Sequence, residues 1–147
     1  MTKNVNMPFS FKIIAAKDIF IIVPFLQKLS DNANSEAVLK ERLLEMITQN
    51  YECVGVYKND KLIGVCGLWF MTRHYVGKSV EVDHIYIIEK YQGQGLGKIL
   101  MNWVDNYAQS KGCKASELNT YVQNYPSHKF YYNQGYKILG YHFLKKF

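Results

Sequence analysis

The stretch Tyr91-Gln92-Gly93-Gln94-Gly95-Leu96-Gly97-Lys98 constrains the fold more than any other part of the chain. Before it, Ser79 to Ile88 holds Val80, Val82, Ile85, Tyr86, Ile87 and Ile88, an apolar run of strand length. After it, Leu96, Ile99, Leu100, Trp103, Val104, Tyr107 and Ala108 recur at helical period until Lys111-Gly112 stops them. A strand that passes through a glycine turn straight into an amphipathic helix belongs to the α/β class. The glycines let backbone N–H groups face a ligand with no Cβ in the way. The helix behind them adds its unpaired first-turn donors and its positive end. The arrangement predicts an anion cradle that a pyrophosphate would fit. It is no dinucleotide fingerprint, which needs glycine where Lys98 stands. A P-loop would need glycine at Gln92 and Ser or Thr at Ile99.

The remaining elements follow from spacing. Phe9 to Ala15 reads as a first strand, and Asp18 as the cap of a helix that Pro24 breaks or kinks. After a polar loop at 30–35, Glu36 to Gln49 is helical, with Glu36 and Lys40 as an i,i+4 pair. Tyr51 to Tyr57 and Lys61 to Met71 flank Asn59-Asp60 as an antiparallel hairpin. Glu117 to Val122 is a fifth strand, Ser127 to Gln134 a short helix, and Tyr136 to Phe143 a final strand. A hairpin combined with crossovers gives a central sheet of mixed direction flanked by helices.

A chain of 147 residues buries roughly 68–70% of its unfolded surface and holds together without disulfides or metal. Its 48% apolar and 20% charged residues exclude disorder and low-complexity classes. The longest apolar run, Ile19 to Leu26, is far short of the ~20 residues of a membrane span. No signal-peptide pattern opens the chain, so a cytoplasmic protein is expected. Cys53, Cys66 and Cys113 never form a C-x-x-C pair and read as buried thiols; no metal site is expected. The net charge of +6 is scattered, without a basic helix stripe, which argues against nucleic acid and for a phosphate-bearing small molecule.

The spacing Gln92-x-x-Gly95-x-Gly97 resembles the Q/R-x-x-G-x-G/A signature of the GNAT superfamily of acyl-CoA-dependent N-acyltransferases. Downstream, Asn124-x-x-Ser127-x-x-Phe130-Tyr131-x-x-x-Gly135-Tyr136 is similar to a second element of that family, with Ser127 and Tyr136 as mild departures. Glu89-Lys90, where many members carry proline, is a larger one. The resemblance is clear from Lys61 to Tyr141. It implies one N-acetyltransferase domain over 8–147 behind a short tail at 1–7, with fourth and fifth strands splayed apart. It implies acetyl-CoA as acyl donor, its arm along Ile85, Tyr86 and Ile87 and its pyrophosphate on Gln92, Gly93, Gln94, Gly95, Leu96, Gly97 and Lys98. Asn124 would touch the arm from the other side.

Acyl transfer from a thioester needs an uncharged amine, a donor for the oxyanion and a proton for the departing thiolate. The resemblance assigns the donor to a backbone N–H near Ile87 and the acid to Tyr131. It places the base on the fourth strand, at Glu81 or Asp83. Alternation puts those two carboxylates on one face and His84 on the other, barring a bulge. Arg73, His74 and Tyr75 are candidates to line the acceptor site. The expected activity is direct transfer from acetyl-CoA to a primary amine in a ternary complex. The alternative is an acyl-CoA sensor without transfer. The partners expected are acyl-CoA, a small-molecule or peptide amine and, as in many relatives, a second copy; neither nucleic acid nor membrane is expected.

Overall fold

The computed structural model describes residues 8–147, so the tail read at 1–7 lies outside the described residues. Five strands form one sheet in the order β1-β2-β3-β4-β5. β1 (Phe9–Ile13), β2 (Tyr51–Lys58), β3 (Lys61–Arg73) and β4 (Gly77–Ile87) pair antiparallel in succession. β5 (Ala115–Leu118) pairs parallel with β4, giving the mixed direction expected. Asn59 and Asp60 turn β2 into β3 with φ of 49° and 62°, the two positive values a tight two-residue hairpin requires.

Helices cover both faces. A 3₁₀ turn (Ala16–Ile22) leads into α1 (Val23–Leu29), which has Pro24 in its first turn, where the missing N–H costs no hydrogen bond. α2 (Glu36–Met46) is capped by Ser35, whose Oγ accepts from the Val38 N–H at 3.3 Å, and carries the expected Glu36–Lys40 pair at 2.6 Å. On this face Ile19, Ile22, Val23, Leu39 and Leu43 pack on Tyr51, Cys53 and Val65. On the other, α3 (Leu96–Ser110) buries Leu96, Leu100, Met101, Val104 and Ala108 against Val54, Val56, Leu68, Val80 and Val82. Each buried Val, Leu, Ile or Met side chain contributes ~1.5–3 kcal/mol. α4 (Tyr125–Asn133) adds Phe130 and Tyr131 to that layer.

Three expectations need correction. Asp18 does not cap a helix: the residue at that position is Ala15, and Asp18 lies inside the 3₁₀ turn. The fifth strand is Ala115–Leu118 rather than Glu117 to Val122, because its pairing with β4 stops at Val82–Leu118 and a turn follows at 122–123. No strand forms over Tyr136 to Phe143; the segment has the side-chain alternation of a strand but finds no partner strand among the described residues. Alternation sets a conformation, whereas a strand also needs an edge to pair with.

Candidate active site

The site begins where β4 and β5 part. Four residue pairs, Ser79–Ala115 to Val82–Leu118, join the two strands, after which β4 continues alone to Ile87. Among the described residues, Asp83 to Ile87 have no partner strand on that side. A short 3₁₀ turn (Glu89–Tyr91) then delivers the chain to the glycine loop, and the Gln92 side chain ties it back by donating to the Ile87 carbonyl at 2.6 Å. Gly93 and Gly95 stand at φ of 72° and 77°, in the left-handed region that favours glycine, and a Cβ on either would point into open space. Gly95 is the N-cap of α3, with no side-chain cap and no acidic residue in the first turn. The first N–H groups of a 15-residue helix therefore face that space unpaired, beside Lys98. Gly97 differs: a Cβ there would meet the Phe130 ring at 3.4 Å, so this glycine also sets how closely α4 approaches α3.

Tyr131 lies on the same α3/α4 side of the sheet. Its ring meets Phe130 and Tyr136 edge-on, and burial, with the Cys66 thiol nearby, raises its pKa. The phenol is therefore protonated at neutral pH. Cys66 is the β3 partner of Ile85, and both belong to the hydrophobic cluster against which Tyr131 packs. Asn124 precedes α4, exposed and without a cap bond.

The other face of β4 is organised by a bulge. Cys66 pairs with Ile85 and Leu68 with Val82, so Asp83 and His84 together oppose the single residue Gly67. Before the bulge the even residues Val80 and Val82 face α3; after it the odd residues Ile85 and Ile87 do. His84 consequently shares the α1/α2 face with Glu81 and Tyr86, contrary to simple alternation. Its ring occupies the volume a Cβ on Gly67 would need, so that glycine and the bulge require each other. His84 Nε2 meets the Tyr51 hydroxyl at 2.6 Å, while Nδ1 is buried without a partner. Burial lowers the His84 pKa, only partly opposed by Asp83, so the imidazole is neutral at pH 7.

Along this face runs a polar strip. Glu81 accepts from Arg73 Nη2 at 3.2 Å and from Asn119 Nδ2 at 3.1 Å. Glu117, paired with Glu81 across the β4–β5 register, accepts from Arg73, from Ser79 at 2.8 Å and from the Tyr75 hydroxyl. Burial works to raise the Glu117 pKa, but the hydrogen bonds from Tyr75, Ser79 and Arg73 outweigh it and leave the carboxyl below its usual range. Asp83 accepts from Trp69 Nε1 at 3.0 Å. Three carboxylates against one guanidinium make the strip acidic in a chain of net charge +6. Arg73, the last residue of β3, and Tyr75 in the loop after it both bond the carboxylates of this strip. Glu117, Asn119 and Tyr51 were not expected, because only the β4–β5 register and the bulge bring them to Glu81 and His84.

A cavity of about 400 Å³ opens beside the C-terminal end of β4, lined by Pro24, Phe25 and Lys28 of α1 with Tyr86, Ile88 and Glu89. A second of equal size, with Glu52, Phe70, Lys78 and Lys111 in its walls, lies at the opposite end of these strands, away from the glycine loop. Among the described residues no group of three or more His, Cys, Asp or Glu could hold a metal ion, and no helix is long and apolar enough to cross a membrane.

Known proteins share this fold. The chain is 26% identical over 89 residues to an aminoalkylphosphonate N-acetyltransferase of Salmonella typhimurium, covering 60% of this chain and 58% of that one. The match thus spans little more than half of that relative. A ribosomal-protein-alanine N-acetyltransferase of Brucella melitensis superposes with a TM-score of 0.78 at 19% identity, over 94% of this chain and 99% of that one. An aminoglycoside N-acetyltransferase in complex with CoA gives 0.80 at 12% identity, over 94% and 93%. At such identities these structures show the fold. The sequence pattern of the Acetyltransferase (GNAT) family matches residues 22–136, most of the chain, and with the split sheet and the glycine loop this makes the protein a member of the GNAT acetyltransferase family.

Proposed function

We propose that the protein transfers an acetyl group from acetyl-CoA to a primary amine by direct attack in a ternary complex. The observation that carries this reading is the open space above Gly93 and Gly95, at an uncapped helix N-terminus reached from a strand without an outer partner. A CoA pyrophosphate fits the unpaired N–H groups of residues 96–98 and the Lys98 charge. The backbone of Ile85 to Ile87 is free to bond an extended arm on the side away from β3, and Asn124, exposed just before α4, is the residue assigned to touch that arm. The CoA-complexed neighbour supports the same donor.

In this reading Tyr131 donates its proton to the departing sulfur from the α3/α4 side. Glu81 takes a proton from the amine through a water, and Asp83 orients the incoming ammonium. Two donors occupy Glu81, but a carboxylate has roughly four lone-pair sites, so Arg73 and Asn119 fix its direction and leave it able to accept a proton. Acid and base approach from opposite faces of β4, which meet only in the gap beyond Val82 and Leu118. The acidic strip favours a cationic acceptor despite the positive whole. The acceptors named for these relatives, an aminoalkylphosphonate, an alanine and an aminoglycoside, all present an amino group. Burial raises the thiol pKa values of Cys53, to about 12, and of Cys66, which supports direct transfer over a cysteine-bound intermediate. Three free buried thiols also suit the reducing cytoplasm.

The test is a panel of amines with acetyl-CoA, read by release of free thiol and by melting temperature. Acetyl-CoA at 100 times its dissociation constant should stabilise the fold by about 2.7 kcal/mol, and at least one amine should release thiol. A thermal shift with no release from any amine would favour the sensor reading. No shift at all would overturn both.

A further inference from the structure

At the end of the sheet away from the glycine loop, β2 begins, β3 ends and β4 begins, and α3 stops beside them. Alternation sorts the side chains of these strand ends onto two faces. Arg73, Ser79 and Glu81 serve the acidic strip on one of them. Glu52, Phe70, Thr72 and Lys78 fall on the other, near Tyr107 and Lys111 at the end of α3. There they line, with Lys111, the second cavity of about 400 Å³, which neither the cradle nor the strip uses. Its charges gather around Glu52. The Tyr107 hydroxyl donates to Glu52 Oε2 and Lys111 Nζ to Oε1, each at 2.6 Å. Lys111 Nζ also lies 4.7 Å from the centre of the Phe70 ring. Lys78 Nζ donates to the Lys111 carbonyl at 2.6 Å, a cation on a helix C-terminus. The bond to Glu52 raises the Lys111 pKa, so its charge persists at neutral pH. One carboxylate thus meets two ammonium groups, each with N–H groups to spare beyond the one donated to the protein.

We infer that this cavity binds a small organic oxyanion: its carboxylate or phosphate takes the spare N–H groups of Lys78 and Lys111, and its apolar body lies against Phe70. Glu52, Lys78 and Lys111 leave the walls with one net positive charge, which an anion completes. The volume is that of a small-molecule site, ~300–1,000 Å³, and far above the ~30 Å³ of one water. An aromatic wall with a few convergent polar groups, here the two ammonium groups with Asn50 and Thr72, is the usual make-up of such a site. Lysines act as point charges, so they receive either oxyanion without the fork geometry an arginine would impose. The cavity is separate from the cradle. α3, with its 15 residues, sets the two ~22 Å apart, one at each of its ends. None of this rests on the acyl-transfer reading.

The nitrogen-labelled full chain is titrated with phenyl phosphate, benzoate and inorganic phosphate, and amide resonances are followed. At least one organic anion should shift residues 49–52, 70–72, 78 and 111, and the tighter of the two names the oxyanion group. Inorganic phosphate should bind more weakly than phenyl phosphate, because it has no body to place on Phe70. Lys78→Gln removes a charge without unpairing Glu52 and should weaken binding ~10–100-fold. Glu52→Gln keeps an acceptor for Tyr107 and Lys111 but removes the competing charge, and should tighten binding ~2–5-fold. Glu41→Gln, on the exposed side of α2, should change nothing. Equal effects of Glu41→Gln and Glu52→Gln would reduce the binding to the chain's general positive charge and overturn the inference. So would shifts confined to residues 93–98, wild-type affinity in Lys78→Gln, inorganic phosphate binding as tightly as phenyl phosphate, or no binding of either organic anion.

Discussion

The glycine cradle and the polar strip lie at the two ends of one strand, β4, and are built in opposite ways. The cradle is local. Gly93, Gly95 and the first turn of α3 are neighbours in sequence, and their shape comes from backbone N–H groups and two positive φ angles. The strip is assembled from a distance. Arg73 of β3, Glu81 of β4 and Glu117 of β5 meet because three strands pair in one register, and His84 joins their face because a bulge reverses the alternation. A backbone site tolerates most side-chain changes but not a forced φ. A side-chain site tolerates φ strain elsewhere but loses its chemistry with one atom.

That contrast sets the sizes of the expected effects. The largest belongs to Gly95→Val, which puts a branched Cβ into the left-handed region and into the open space above α3. The acetyl-CoA-dependent shift in melting temperature should vanish. Gly97→Val should weaken it less, because its Cβ first meets Phe130 and disturbs the α3–α4 contact. Equal loss in both variants would put the donor over Gly97 too and erase the distinction.

In the strip, Glu81→Gln keeps the shape and removes the charge. Turnover should fall ~10²–10⁴-fold and the acidic limb of the pH–rate profile should flatten, while Asp83→Asn mainly raises the acceptor's Michaelis constant. If Asp83→Asn flattens the limb and Glu81→Gln does not, the two roles are exchanged. From the other face, Tyr131→Phe should lower turnover ~10²-fold with little change in acetyl-CoA affinity. Near-normal turnover would leave Tyr131 as a packing residue.

The smallest effect concerns stability. The His84 pKa is lowered in the fold by burial, so below ~6.5 the unfolded chain binds a proton that the folded chain refuses. Its contribution is present above that pH and is lost as pH falls toward the folded value, at up to ~1.4 kcal/mol per unit. Glu117, also lowered, adds its own loss only under more acidic conditions, near and below ~4.3. Urea midpoints at pH 7, 6 and 5 should therefore decline more steeply for the wild type than for His84→Gln. Parallel slopes would mean that His84 takes up its proton within the fold.

Much of this molecule is legible in its sequence. The α3 stripe, the Asn59-Asp60 turn and the glycine loop are specified by residues within about two helical turns of one another, so their periods and φ demands can be read directly. The family resemblance rested on two such local patterns, and the GNAT family match agrees with it. His84 shows where local reading stops. Its face depends on whether one residue or two oppose Gly67, which is a property of the β3–β4 pairing.

The sequence by itself determined the α3 stripe, the Asn59-Asp60 turn, the left-handed glycines before α3 and the family, because short-range backbone preferences and side-chain periods act along the chain. Only the tertiary structure decided that Glu81 would pair with Glu117 across the β4–β5 register, that a bulge would turn His84 to their side, and that the strand-like segment after α4 would have no partner strand among the described residues. Those outcomes depend on register and on which edges are free. Both are settled by pairing between residues far apart in sequence, where a shift of one position moves every side chain to the opposite face.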